Sequence, residues 1–283
     1  MKDNDLQIAI NLFKSGKSIS EIAKTFGKTS QTILKWLKDA NVRENRSRTW
    51  VNSEYFDIID TEEKAYLLGF FIADGCIRIE KDKRTNTCYK RLCLSNSIDD
   101  LEIIKRFHKA ICPYHTMQNL HNTRGVKCRK PQIVLQWTSN HMVQTLEEKY
   151  KILPLKTYDY DFKFPFETIP SELHRHFVRG FLDGDGCVRT DGLSFVFNSE
   201  NFMFQIMNIF KDALKNNLEK FKYTYSKCTG KTVNYWKCFI AKGSEKQKLL
   251  KDFLYKDATI YLIRKFNKIN QWTIKKRGRP KSV

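Results

Sequence analysis

Apolar residues fall into three patterns along this chain, and each predicts a different element. Over residues 1–42 they recur at helical spacing: Ile8, Leu12 and Phe13 form one stripe, Ile33, Trp36 and Leu37 another. Between the stripes Ser18-Ile19-Ser20-Glu21 is a capping box opening a short helix with Ile22 and Ala23, and Phe26-Gly27 makes a turn. A helix over 29–38 follows. The second pattern is a near-continuous apolar run that occurs twice, as Leu67-Leu68-Gly69-Phe70-Phe71-Ile72-Ala73-Asp74-Gly75-Cys76 and as His176-Phe177-Val178-Arg179-Gly180-Phe181-Leu182-Asp183-Gly184-Asp185-Gly186-Cys187. In each, two small residues stand four apart (Gly69 and Ala73; Gly180 and Gly184), on one helix face where two backbones can approach closely. The third pattern is alternation. Ile77 and Ile79 are expected inward with Arg78 and Glu80 outward; a polar turn over 81–90 leads to Leu92 and Leu94 inward and Arg91 outward, a hairpin with one wet face.

The remaining periodicity predicts a helix over 101–110, a strand over 133–137 and a helix to 146. The second half repeats the order: a hairpin over 187–197 around Thr190-Asp191-Gly192, a helix over 201–218, strands over 223–228 and 233–240, and helices over 246–254 and 259–268. Phe195 and Phe197 fall where polar residues would be expected in that hairpin.

The two repeats carry the candidate chemistry. Side by side, the two helices would bring Asp74 and Asp185 together at their C-terminal ends. A carboxylate there faces the negative end of the helix dipole, and two adjacent carboxylates repel. One Asp-Gly is an ordinary cap and turn. Two copies with the same small-residue spacing and the same following Cys point to a shared site for a hard divalent cation. Each hairpin is followed by Asn-Ser, Asn96-Ser97 and Asn198-Ser199. The first hairpin is the longer and holds Lys81, Lys83, Arg84, Lys90 and Arg91, so an asymmetric partner is expected.

Charge identifies that partner's class. The 283 residues carry a formal net charge of +20, which points to a polyanion, nucleic acid first. No segment reaches the roughly 18 apolar residues of a membrane span, and the start, Met-Lys-Asp-Asn-Asp, reads as no signal peptide. An intracellular protein of the cytoplasm or nucleoid is expected. The eight cysteines include no Cys-x-x-Cys pair or zinc spacing, so free thiols are expected. His174 and His176, two apart on a helix, diverge and make a poor metal pair.

The N-terminal helices resemble the helix-turn-helix of site-specific recombinases and transposases, which implies that Thr29, Ser30, Gln31 and Lys35 face DNA. Lys28 stands where that family usually has an apolar residue. Residues 43–60 are expected to be a basic linker. The tail over 275–283 has an Arg-Gly-Arg-Pro core that resembles an AT-hook, implying that Arg277 and Arg279 enter a minor groove.

The paired motifs, the hairpin–helix halves and the closing stretch Leu254-Tyr255-Lys256-Asp257-Ala258-Thr259-Ile260-Tyr261-Leu262-Ile263-Arg264-Lys265 resemble the LAGLIDADG homing endonucleases in their single-chain, two-motif form. The resemblance covers about residues 61–270. It implies an α+β fold of two pseudo-symmetric αββαββα halves, over 61–165 and 166–274, whose strands form a saddle over duplex DNA. It implies Mg²⁺ or Mn²⁺ held by Asp74 and Asp185 with the carbonyls of Ala73 and Gly184, and double-strand cleavage at a long asymmetric site by a monomer. Asn96 and Asn198 would order the water around the metal, and Lys242 would polarise it. Arg78, Glu80, Lys83, Arg84, Arg91 and Arg189 would contact DNA. Ile72 stands where the motif has an inner acid, which does not bind metal. The same fold also serves in non-catalytic transcriptional regulators and in maturases that bind intron RNA, and both remain as alternatives.

Overall fold

The computed structural model describes residues 3–14, 17, 19–40, 50–120, 131–190, 192–214, 223–229, 234–240 and 244–272. The chain divides into two units, Met1–Trp50 and Val51–Val283, each with its own apolar core.

The smaller unit has three helices, α1 (Asp3–Lys14), α2 (Ile19–Phe26) and α3 (Ser30–Asp39). Ala9, Ile10, Phe13, Ile22, Ala23, Ile33 and Leu37 fill its interior. Ile8, expected in that stripe, is exposed, because Ala9 and Ile10 take the inward positions of α1. Trp36 is half-buried, edge-on to Phe26 with centroids 5.8 Å apart. Thr29 caps α3 by accepting a hydrogen bond from the backbone N–H of Thr32. Gly27 takes a left-handed backbone (φ 59°), which turns α2 into α3 and leaves Lys28 exposed.

The larger unit is built from two halves with the same order of elements. The first runs α4 (Glu62–Asp74), β1 (Gly75–Lys81), β2 (Cys88–Ser97), α5 (Leu101–Ile111), β3 (Gln118–Leu120), β4 (Gln132–Trp137) and α6 (Asn140–Gln144). The second runs α7 (His174–Asp185), β5 (Cys187–Arg189), β6 (Gly192–Phe197), α8 (Glu200–Ala213), β7 (Tyr223–Thr229), β8 (Asn234–Ile240) and α9 (Ser244–Tyr255), closed by α10 (Ile263–Asn270). Each half makes one antiparallel sheet, ordered β1-β2-β4-β3 and β5-β6-β8-β7. This is the expected α+β arrangement of two αββαββα halves. No helix among the described residues is long and apolar enough to cross a membrane.

The halves meet along α4 and α7. A methyl group on Gly69 would overlap the carbonyl oxygen of Phe177, and one on Gly180 would overlap that of Tyr66. Only glycine allows this approach, because any side chain there would strike opposing backbone. Tyr66, Leu67, Phe70 and Phe71 of α4 and Phe177, Phe181 and Leu182 of α7 are fully buried, and Arg179 of α7 pairs with Glu62 of α4.

Four expectations are corrected. Residues 51–60, expected in a linker, join the large core: Phe56 and Ile59 are buried, and Asn52 N–H donates to the carbonyl of Ile111 at 2.7 Å. Ile79 shares the core side of β1 with Ile77 but is 61% exposed, because the hairpin runs past the end of the core. Phe195 and Phe197 face inward in phase with Val188 and Leu193, and Phe181 stacks on Phe195 at 6.0 Å. The helix expected over 259–268 begins only at Ile263, since the backbone N–H groups of Thr259 and Leu262 donate to the side chains of Glu62 and Asp183. The short edge strand β3 was not legible in the periodicity. The tail, Asp191 and Lys242 lie outside the described residues.

Candidate metal and nucleic-acid site

Asp74 and Asp185 are the last residues of α4 and α7. The close crossing fixed by the glycines brings these ends together: a methyl on Gly184 would overlap the Cβ of Ala73 and lie 3.3 Å from Oδ2 of Asp74. Burial, and then the charge of Asp185, pushes the Asp74 carboxyl up to about 6. Asp185 keeps an open face to solvent, and protein crowding behind it raises its carboxyl too. Asn96 donates its side-chain N–H to Oδ2 of Asp74 at 2.8 Å.

Two lysines absent from the sequence expectations complete the site. Lys156 Nζ donates to the carbonyls of Phe71, Ile72 and Ala73, the last at 3.0 Å. Lys265 Nζ donates to the carbonyls of Leu182 and Asp183 at 2.6 Å, of Gly186 at 2.8 Å and of Gly184 at 3.2 Å. Each motif helix therefore ends on an ammonium group, half-buried at Lys156 and buried at Lys265, that satisfies its orphan carbonyls and its dipole. Desolvation lowers both lysines to about 8, against the opposing pull of the nearby carboxylates. The one sequence signal for the pair is spacing: Lys156 follows Asp74 by 156 − 74 = 82 positions, and Lys265 follows Asp185 by 265 − 185 = 80.

The donor chemistry fits a hard divalent cation. Desolvation disfavours the charge of both carboxylates, the charge of Asp185 further disfavours that of Asp74, and the carbonyls of Ala73 and Gly184 border them. No group of three or more His, Cys, Asp or Glu side chains that could hold a metal occurs among the described residues. A cation here would complete its shell with carbonyl, water or phosphate oxygens.

Asn198 is engaged differently from Asn96. Its side-chain N–H group donates to the carbonyls of Lys156 at 2.9 Å and Asp159 at 2.6 Å. The amide is thus occupied by the loop carrying Lys156, while Asn96 alone of the pair bonds a motif carboxylate.

The outer face of the first sheet is polar. Arg78 and Arg91 are direct cross-strand partners, a like-charge pair that disfavours the free sheet. Glu80 offsets it by pairing with Arg91 Nε at 3.1 Å, while Arg91 also donates to Tyr89 Oη (2.7 Å) and Gln136 Oε1 (3.2 Å). Lys83 and Arg84 are exposed at the hairpin turn, and Arg189 is exposed on β5. In the small unit, Thr29, Ser30, Gln31 and Lys35 are exposed, with the Thr29 hydroxyl engaged in the cap.

No family model and no curated protein matches the chain. Solved structures do. The I-SmaMI LAGLIDADG homing endonuclease bound to cleaved DNA aligns over 74% of this chain and 86% of its own at 11% identity, with a TM-score of 0.47. The LAGLIDADG homing endonuclease I-GzeII in complex with its DNA target aligns over 74% and 87% at 15% identity, TM-score 0.44. I-DmoI in complex with DNA and Mn aligns over 69% and 97% at 14% identity, TM-score 0.41.

Proposed function

We propose that this chain is a LAGLIDADG-type, metal-dependent DNA endonuclease that cuts both strands of an asymmetric duplex site. The observation that carries the reading is the meeting of Asp74 and Asp185 at the ends of two crossing helices, each end closed by a lysine.

Asp74 and Asp185, with the carbonyls of Ala73 and Gly184, would hold Mg²⁺ or Mn²⁺. When bound, the cation supplies Lewis-acid stabilisation of charge at the phosphate and eases ionisation of the attacking water. The chain's own residues do the rest. Asn96 fixes the orientation of the Asp74 carboxylate. Lys156 and Lys265 place positive charge beside the two carboxylates, where negative charge grows as a phosphodiester is attacked. Arg78, Glu80 and Arg91 present a braced donor and acceptor array toward base edges, and Lys83, Arg84 and Arg189 toward phosphates. The first hairpin pairs seven residues of β1 with seven of β2, the second three of β5 with three of β6, so the two half-sites differ in reach. Both carboxylates come from one chain, which supports action as a monomer. The exposed face of α3 adds a second DNA contact.

Digestion of a randomised plasmid library with Mg²⁺ or Mn²⁺, followed by sequencing of the ends, tests the reading. Recurrent ends at one asymmetric sequence with short 3′ overhangs are expected. Tight duplex binding without recurrent ends under either metal would overturn it and favour a regulator; preference for structured RNA would favour a maturase.

A further inference from the structure

The two lysines are held by opposite halves from those whose helices they cap. Lys156 reaches the end of α4 in the first half, yet its own backbone is fastened to the second. Asn198, just past β6, donates to the carbonyls of Lys156 and Asp159, and Ser199 Oγ donates to the carbonyl of Phe162 at 2.6 Å. Lys265 reaches the end of α7 in the second half, yet its neighbour Arg264 is clamped to the first. Arg264 donates through Nε and a terminal nitrogen to both oxygens of Asp100, at 2.6 and 2.7 Å. Asp100 lies just past β2, four residues after Asn96, and is 2% exposed. The turn after each hairpin therefore steadies the lysine that caps the other half's motif helix.

We propose that Asn198 and the Asp100–Arg264 pair are positioning residues, each governing the ammonium group at the end of one of the two motif helices, so that losing either unbalances cleavage of the two DNA strands. The proposal rests on the endonuclease reading above. A bidentate guanidinium–carboxylate fork fixes both distance and plane, which a lone ammonium contact does not. A shift of about 1 Å in a charged group at a reacting centre is enough to slow it by up to about 100-fold.

The test uses the full chain and a supercoiled plasmid bearing the site recovered from the library digest, with the nicking rate followed on each strand separately. Asn198→Asp and Lys156→Met are expected to slow the same strand by about tenfold or more relative to the other. Arg264→Lys and Lys265→Met are expected to slow the opposite strand. Melting curves and duplex binding of each variant distinguish a local displacement from unfolding, and Asp100→Asn gives a second route to the Arg264 clamp. Equal slowing of both strands by Asn198→Asp and Arg264→Lys, or slowing of the same strand by both, would overturn the proposal while leaving the endonuclease reading intact. Wild-type chain that cuts neither strand would overturn that reading and this one with it.

Discussion

Tyr66 of α4 donates its hydroxyl to Oδ2 of Asp183 on α7 at 2.7 Å, a buried hydrogen bond across the helix pair that places the two carboxylate-bearing ends. Leu262 N–H donates to the same oxygen at 2.8 Å, so one buried acid ties the first half, the second half and the closing segment. Tyr66→Phe leaves the ring packing and removes one donor to a buried carboxylate. A loss of about 1–3 kcal/mol in urea unfolding is expected. No change in the midpoint would show that the bond contributes nothing net.

Gly69→Ala and Gly180→Ala each force a methyl group against backbone of the opposing helix. Backbone cannot rotate away as a side chain can, so destabilisation of about 1–3 kcal/mol or more is expected, with cleavage falling further than binding. Thermal melting and a nicking assay on each variant check this; melting at the wild-type temperature would contradict the close crossing.

Asp74→Asn and Asp185→Asn remove charge and cation affinity with little change in shape. Cleavage is expected to drop by about two orders of magnitude or more while duplex affinity stays within about threefold. Gel shift and cleavage, run on the same preparations, separate the two effects.

Asp74, Lys156 and Lys265 are three of the shifted groups that shape the pH dependence. Asp74 is raised to about 6, so it contributes stability at low pH that is lost as pH rises through about 6. Lys156 and Lys265 are lowered to about 8, so they contribute stability at high pH that is lost as pH falls through about 8. Between those values all three are charged and their combined contribution is at its lowest. Mg²⁺ is therefore expected to raise Tm more at about pH 7 than at about pH 5, where Asp74 holds its proton. Equal shifts at both pH values would refute a cation site at Asp74.

Removing residues 1–50 deletes a unit with its own core. Binding is expected to weaken, and the slope of log affinity against log salt to become shallower, while cleavage at the same site persists. An unchanged salt slope would rule out phosphate contacts by that unit.

The parts legible in sequence are those with short-range signatures. The doubled apolar run with Gly69 and Gly180 placed the helix crossing, and alternation placed Arg78, Arg91, Leu92 and Leu94 on their faces. Lys156 and Lys265 were not legible, because nothing local distinguishes an ammonium group that will find helix carbonyls some 80 positions away. Residues 259–262 misled for the same reason: their helical spacing is real, but Glu62 and Asp183 claim the backbone donors. Asn96 and Asn198 look equivalent in sequence and diverge because the 156–159 loop occupies only one of them.

Arg179 is fully buried on α7, with its guanidinium on Glu62 and on the carbonyls of Leu254 and Ile260. Shifted by the 111 positions that separate the repeats, its counterpart is Leu68, and the counterpart of Glu62 is Leu173. Two C-terminal halves laid against each other would thus take Glu62 away from a buried guanidinium, a loss of about 3–5 kcal/mol on each side. Fragments severed between the repeats would shun their own kind and reassemble only as unlike pairs.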